Sequence, residues 1–272
     1  MAGPESGAAE SYIIAPMTSR CGLAILLLAT LSPLSAQWLK LPDKGIPRTK
    51  DGKADLTAPA PHKADGKPDL AGVWIVPGPK YLQNLAADLK PGEVPMQPWA
   101  EALTKERMSG AHAAEESDAN CLPQGVPKIN VTPVPFKIVQ NPDEVIILYE
   151  AFGIYRQIFM DGRALPKDPN PSWMGYSVGR WDGDSLVVET SGFNGKTWLD
   201  QVGHPATEAL LVTERFRRTD FGHLKIEVTI NDPKAYTKPW TVTEGMQLLA
   251  DTDLLEFVCN ENNRDLPHLL NK

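Results

Sequence analysis

The residue types best suited to chemistry sit together on one stretch, Trp198-Leu199-Asp200-Gln201-Val202-Gly203-His204-Pro205. It carries an aromatic ring, a carboxylate and an imidazole on what reads as a single loop. An aspartate that orients a histidine is the usual general-base arrangement, because the carboxylate fixes the tautomer and supports the imidazolium. The same residues also suit an ordinary loop in which Asp200 accepts from backbone N–H groups. Glu214 and Arg218 share a strand face with Val212 and Phe216. Facing inward they must be paired or functional; facing outward they are a solvated surface. Arg163 follows Asp161-Gly162 in a turn, where such a pair contributes about 0–1 kcal/mol. Asp200 and His204 are thus the acid–base candidates, with Arg163 and Glu214 as charge partners.

Gly175-Tyr176-Ser177-Val178-Gly179 matches the G-x-S-x-G of a nucleophile elbow. An elbow needs a strand, a sharp turn and then a helix, whereas here a hairpin follows and no βαβ pattern lies downstream. The hairpin signal is Asp182-Gly183 between two alternating runs, which predicts a type I′ turn. That turn would set Trp181 opposite Asp184, Gly179 opposite Leu186, Ser177 opposite Val188, Gly175 opposite Thr190 and Trp173 opposite Gly192. One face then carries Trp173, Gly175, Ser177, Gly179 and Trp181, and reads as the inside of a β structure. Glycines there make room for a ligand or for a neighbouring ring. With Trp198 these residues form the expected ligand-binding set.

The elements that must position these groups are mostly strands. Strand-like runs span residues 72–76, 136–140, 145–149 and 154–160, the central hairpin, and then residues 209–217, 224–230, 240–249 and 254–259. Tight turns and no helical crossovers make this an antiparallel all-β chain of about 8–10 strands, most simply a lipocalin-like barrel over residues 71–272. A helical insertion falls at about residues 81–110. Tyr81 to Leu89 suits a short helix. Residues 98–108 suit a longer one, with Pro98 at its first position, Gly110 beyond its end, and Trp99, Ala102 and Leu103 as its buried stripe. Residues 111–120 read as an exposed loop. Residues 37–70 are proline-rich and repeat Asp51-Gly52-Lys53-Ala54-Asp55-Leu56 as Asp65-Gly66-Lys67-Pro68-Asp69-Leu70, which predicts an extended arm or linker.

Net charge is −7 over 272 residues, without a long basic run, which argues against nucleic acid as a partner. Residues 17–36, MTSRCGLAILLLATLSPLSA, have the Arg20, short apolar core and small-residue end of a signal peptide. On this reading Met17 is the start, residues 1–16 are an extension, Ala36 is the last residue removed and Gln37 begins the mature chain. The apolar core is too short for a stable membrane span, so the expected location is periplasmic or secreted. Of three cysteines, Cys21 falls in that segment. Cys121 and Cys259 remain, either as a disulfide or as two buried thiols. The histidines, His62, His112, His204, His223 and His268, form neither HxH nor HExxH spacing, so neither a metal nor a cofactor is expected.

Asp161-Gly162-Arg163, Pro169-Asn170-Pro171-Ser172-Trp173-Met174-Gly175, residues 177–184, Thr197-Trp198-Leu199-Asp200 and residues 232–240 resemble a family of exported, acidobacterial-type bacterial proteins of unassigned activity. The likeness runs from Leu41 onward. Members often read P-H-S after the glycine loop, and this chain has His204-Pro205-Ala206-Thr207, so a second imidazole common in the family is missing. Gly72-Val73-Trp74 is similar to the G-x-W that opens the first lipocalin strand. That resemblance implies a cup with an apolar interior and a small-molecule ligand.

Three functions follow as expectations. The first is an exported barrel binding a small, largely apolar ligand. The second is a hydrolase or isomerase using ionisable residues at the barrel mouth. The third is an envelope protein whose proline-rich arm binds another protein.

Overall fold

Nine strands close into a barrel in the computed structural model, which describes residues 41–261. The segment 17–36 lies outside them. In chain order the strands are β1 (Gly72–Ile75), β2 (Phe136–Gln140), β3 (Glu144–Tyr149), β4 (Ile154–Phe159), β5 (Tyr176–Asp182), β6 (Ser185–Ser191), β7 (Leu211–Arg218), β8 (His223–Asn231) and β9 (Trp240–Leu248). Each pairs with its sequence neighbour, and β9 closes on β1 through Trp74↔Leu248 and Ile75↔Gln247. The all-β barrel expected from the sequence is present, with one correction to its direction. β4 and β5 run parallel, joined only at Ile158↔Ser177 and Phe159↔Val178. The connection through residues 160–175 is long enough to return the chain to the same end, which a tight turn cannot do.

Residues 254–259 form no strand. Once β1 and β9 pair, the closed barrel leaves no edge for another strand. The segment instead runs over the outside, where Leu255 N donates to Glu150 at 2.8 Å and Phe257 meets Phe152 at 5.8 Å between ring centroids.

Alternation fills the interior. Leu186, Val188, Val212, Phe216, Ile226, Val228, Ile230, Val242 and Met246 are all buried. The central hairpin has the expected parity but a register two residues further along: Ser177 pairs with Thr190, Gly179 with Val188 and Trp181 with Leu186. The two loop residues are Gly183 and Asp184, and only Gly183 has positive φ, at 56°. Glycine at the first central position suits a II′ turn rather than the I′ turn that Asp182-Gly183 would form. A shift of two residues keeps every side chain on its predicted face.

Each mouth is covered by chain outside the strands. At the mouth where β9 begins lie α1 (Lys80–Gln83), α2 (Pro98–Met108) and a buried plug of residues 124–132. α1 is shorter than expected. α2 turns a different face inward: Ala100 and Thr104 are buried, whereas Trp99 is 45% exposed and donates Nε1–H to Lys234 O. Small residues let the helix approach closely. Residues 111–120 are not a purely exposed loop either, because Glu116 and Asp118 pair with the fully buried Lys128 of the plug.

At the other mouth the arm is folded, not extended. Its two repeats make matching tight turns, with Thr49 N donating to Lys53 O in the first and Lys63 N to Lys67 O in the second. Leu70 is fully buried, and Gly222 N donates to Leu56 O. The Arg218 guanidinium lies 5.0 Å from the Trp74 ring and donates to Phe221 O, Asp69 O and Ala71 O. Burial lowers its pKa to about 10. The residues that made the arm look like a linker are the turn residues of these hairpins.

Candidate functional site

The Asp200–His204 loop lies at the mouth covered by α1 and α2. Its ends are bridged by Trp198 and Pro205, and the turn between them is closed by the Asp200 carboxylate. Asp200 Oδ1 accepts from Gly203 N at 3.0 Å and His204 N at 3.2 Å. Oδ2 accepts from Leu85 N at 2.8 Å and from His204 Nδ1 at 2.6 Å. A carboxylate can only accept, so Nδ1 carries a hydrogen, and in the neutral ring Nε2 is the acceptor. Nε2 has no hydrogen bond within the described residues, and the His204 side chain is 6% exposed. Asp200 therefore satisfies backbone donors and also orients the imidazole.

His204 contributes to the wall of a pocket of about 510 Å³. Ala86, Leu89, Val94, Met96 and Val202 make its surface largely apolar. Thr104 is there too, but its hydroxyl donates to Ala100 O at 2.8 Å. Arg107 stands beside the loop with its guanidinium 4.3 Å from the Trp198 ring and Nη1 donating to Gly203 O. Burial lowers its pKa. Tyr236 OH donates to Pro205 O, and burial together with Asp200 raises its pKa well above the usual phenol range.

A second polar group occupies the barrel interior. Arg156 on β4 donates Nε–H to Ser177 Oγ at 3.0 Å and Nη2–H to Thr190 Oγ1 at 2.6 Å, and it makes a two-pronged pair with Glu214. Asn130, carried in by the plug, donates to Glu214 Oε1 at 2.7 Å and accepts from Tyr149 OH at 2.8 Å. Burial opposes the Arg156 charge, yet Glu214 and Tyr149 hold its pKa above the ordinary arginine value. Glu244 on β9 is fully buried, and burial followed by the Glu214 charge pushes its carboxyl well above the carboxylate range.

The expected site residues do not form one site. Asp200, His204 and Trp198 are together at the mouth. Glu214 and Ser177 are in the interior, so Glu214 partners Arg156 rather than the dyad. It does not pair with Arg218 either, although both side chains face inward. Arg163 is on an exposed loop, where it binds Asp161, donates to Tyr176 OH at 3.0 Å and covers the Phe159 ring at 4.0 Å. The glycine face is occupied by the protein. A Cβ on Gly179 would meet Met160 Sδ at 2.5 Å and Ile158 Cγ2 at 2.9 Å, and one on Gly175 would meet Ser191 O at 2.8 Å. Trp181 packs partly buried against the core, while Trp173 lines a groove of about 330 Å³ with Ile154 and Met174.

Arg156, Glu244 and Asn130 are functional candidates beyond the expected set. The first two had a usable signal: Arg156 alternates with Ile154 and Ile158, and Glu244 with Trp240, Val242, Met246 and Leu248, which places both on apolar faces. Asn130 comes from a turn with no such period.

Cys121 and Cys259 form a disulfide. Among the described residues no helix is long and apolar enough to cross a membrane, and no cluster of three or more His, Cys, Asp or Glu has metal-binding geometry. Fold and site define a closed all-β barrel with an Asp–His dyad at one mouth and an ion pair inside. No protein-family model and no curated protein matches the chain.

Proposed function

We propose that this is an exported barrel protein that binds a small, largely apolar molecule at the mouth covered by α1 and α2. The supporting observation is the pocket of about 510 Å³ with an apolar wall and His204 within it. That volume falls inside the roughly 300–1,000 Å³ usual for small-molecule sites, which combine apolar surface with a few fixed polar groups. His204 Nε2 would accept one hydrogen bond from the ligand, and Asp200 holds the ring in place for it. The disulfide accords with an oxidising compartment. Binding of an environment-sensitive naphthalene fluorophore, compared between the wild type and Ala87→Phe, tests this reading. Ala87 is on the half-buried pocket wall, so added bulk there should abolish binding and leave melting unchanged. Undiminished binding by Ala87→Phe would refute the assignment.

The dyad favours a second reading, an enzyme at the same pocket. Nε2 is poised as a general base, but the nearby Thr104 hydroxyl is committed to Ala100 O. Proton abstraction, as in an isomerase, fits this arrangement better than acyl transfer. His204→Gln would then remove turnover while retaining ligand binding.

A further inference from the structure

Among the described residues, the strands turn Arg156, Arg218, Glu214 and Glu244 inward. Arg156 is committed to Glu214, Ser177 and Thr190, and Glu214 additionally accepts from Asn130. Glu244 receives nothing: both of its oxygens are sealed from solvent and neither has a partner. The inward face of β8 beside it offers only apolar side chains, with Ile226 directly opposite and Val228 opposite Val242. The ionisable groups that share the interior with it are Glu214 from β7, Tyr149 from β3 and Arg156 from β4. Arg218 from β7 also faces inward but is committed to backbone carbonyls at the mouth covered by the arm, and Lys128 of the plug pairs with Glu116 and Asp118. A buried carboxylate without a cation is far costlier than a buried carboxylic acid.

We propose that Glu244 is a proton-binding site inside the barrel, and that loss of its proton opens the barrel along β9. The weak side of β9 is its closure. It is joined to β8 from Trp240 to Gln247, but to β1 through only two residue pairs. Charge on Glu244 draws in water, and the β1 side of β9, held by those two pairs and by Leu249 N donating to Val73 O, resists it less than the β8 side. In the open state Glu244 loses its proton in the ordinary carboxylate range; in the closed state it keeps it to higher pH. Between those two values the closed state holds one more proton, so opening becomes more favourable as pH rises. One proton gives up to about tenfold per pH unit. Above the closed-state value the dependence ends.

Hydrogen exchange of the full chain from about pH 5 to about pH 9, corrected for intrinsic rates, measures this opening in peptides covering residues 72–75 and 240–248. The wild type should open more readily with rising pH, by up to about tenfold per unit, and Glu244→Gln and Glu244→Met should lose that component. Should either variant fail to fold, the other supplies the comparison. Infrared spectroscopy of the wild type needs neither, and should show the carbonyl band of a buried protonated carboxylic acid at neutral pH. Equal pH dependence in wild type and variants, or no such band, would overturn the proposal.

Discussion

Asp200 Oδ2 accepts from the His204 ring at 2.6 Å and, on the same oxygen, from the Leu85 amide at 2.8 Å. The group that orients the imidazole is therefore also the group that ties the helical insertion to the mouth loop. The same insertion is also held by Gln201 N and Val202 N donating to Leu82 O and Gln83 O, but the carboxylate alone joins that contact to the orientation of His204.

Asp200→Ala should accordingly cost more stability than His204→Ala. It strands the buried amides of Leu85 and His204, whereas Gly203 N keeps the Asp200 carbonyl. At about 1–3 kcal/mol for each unsatisfied donor, the loss is about 2 kcal/mol or more. Urea unfolding of the two variants gives the comparison, and equal losses would show that the carboxylate is not the anchor.

Gly179→Val tests whether the glycine face is a cavity or a packed wall. The added Cβ would contact Met160 Sδ at 2.5 Å and Ile158 Cγ2 at 2.9 Å. Met160 can swing away; the β-branched Ile158, pinned on β4, cannot follow as easily. Overpacking of this kind costs about 1–3 kcal/mol, so a clear fall in melting temperature is expected. Met160→Ala in the same chain should recover part of it. Wild-type melting of Gly179→Val would mean that the wall has room.

The barrel was legible because its strands alternate, and alternation is a local property. Ser177 and Gly179 could be assigned to the inner face before their partners were known, since parity survives a register error of two residues. The register itself depended on which dipeptide turns, and Asp182-Gly183-Asp184 offers two choices. The parallel joint between β4 and β5 has no local signature at all, because direction is set by where a long loop returns. The Asp200–His204 pair was readable because both partners lie on one loop. The pairing of Arg156 with Glu214 joins strands 58 residues apart, and sequence parity says only that each faces inward.

That interior pair should behave as a unit. Arg156 and Glu214 are 2% and 0% exposed. Arg156→Met leaves a buried carboxylate without its cation, which typically costs about 3–5 kcal/mol. Arg156→Met combined with Glu214→Leu removes both charges and should be more stable than Arg156→Met alone, although Asn130 then loses an acceptor. A double-mutant cycle by urea unfolding measures the coupling. Strict additivity of the two changes would show that the pair is not coupled.

The disulfide should contribute most of all, and through the unfolded chain. Cys121 and Cys259 are 5.7 Å apart at Cα and 138 residues apart in sequence. Closing so long a loop restricts the unfolded ensemble by up to about 5 kcal/mol on the chain-entropy account. The bond also has a local task. Residues 254–259 have no strand pairing, so Cys259 is fastened through Cys121 to the chain just before the buried plug, which delivers Asn130 to Glu214. Replacing both cysteines by Ala should lower stability by about 3–5 kcal/mol. It should also raise hydrogen exchange in residues 250–261 more than in β7 or β8. Peptide mapping without reductant should recover a linked fragment containing both cysteines. If the double variant unfolds within about 1 kcal/mol of the wild type, the closed loop is not what stabilises the fold. If exchange rises uniformly across the chain, the bond acts on global stability alone and does not hold this segment in place.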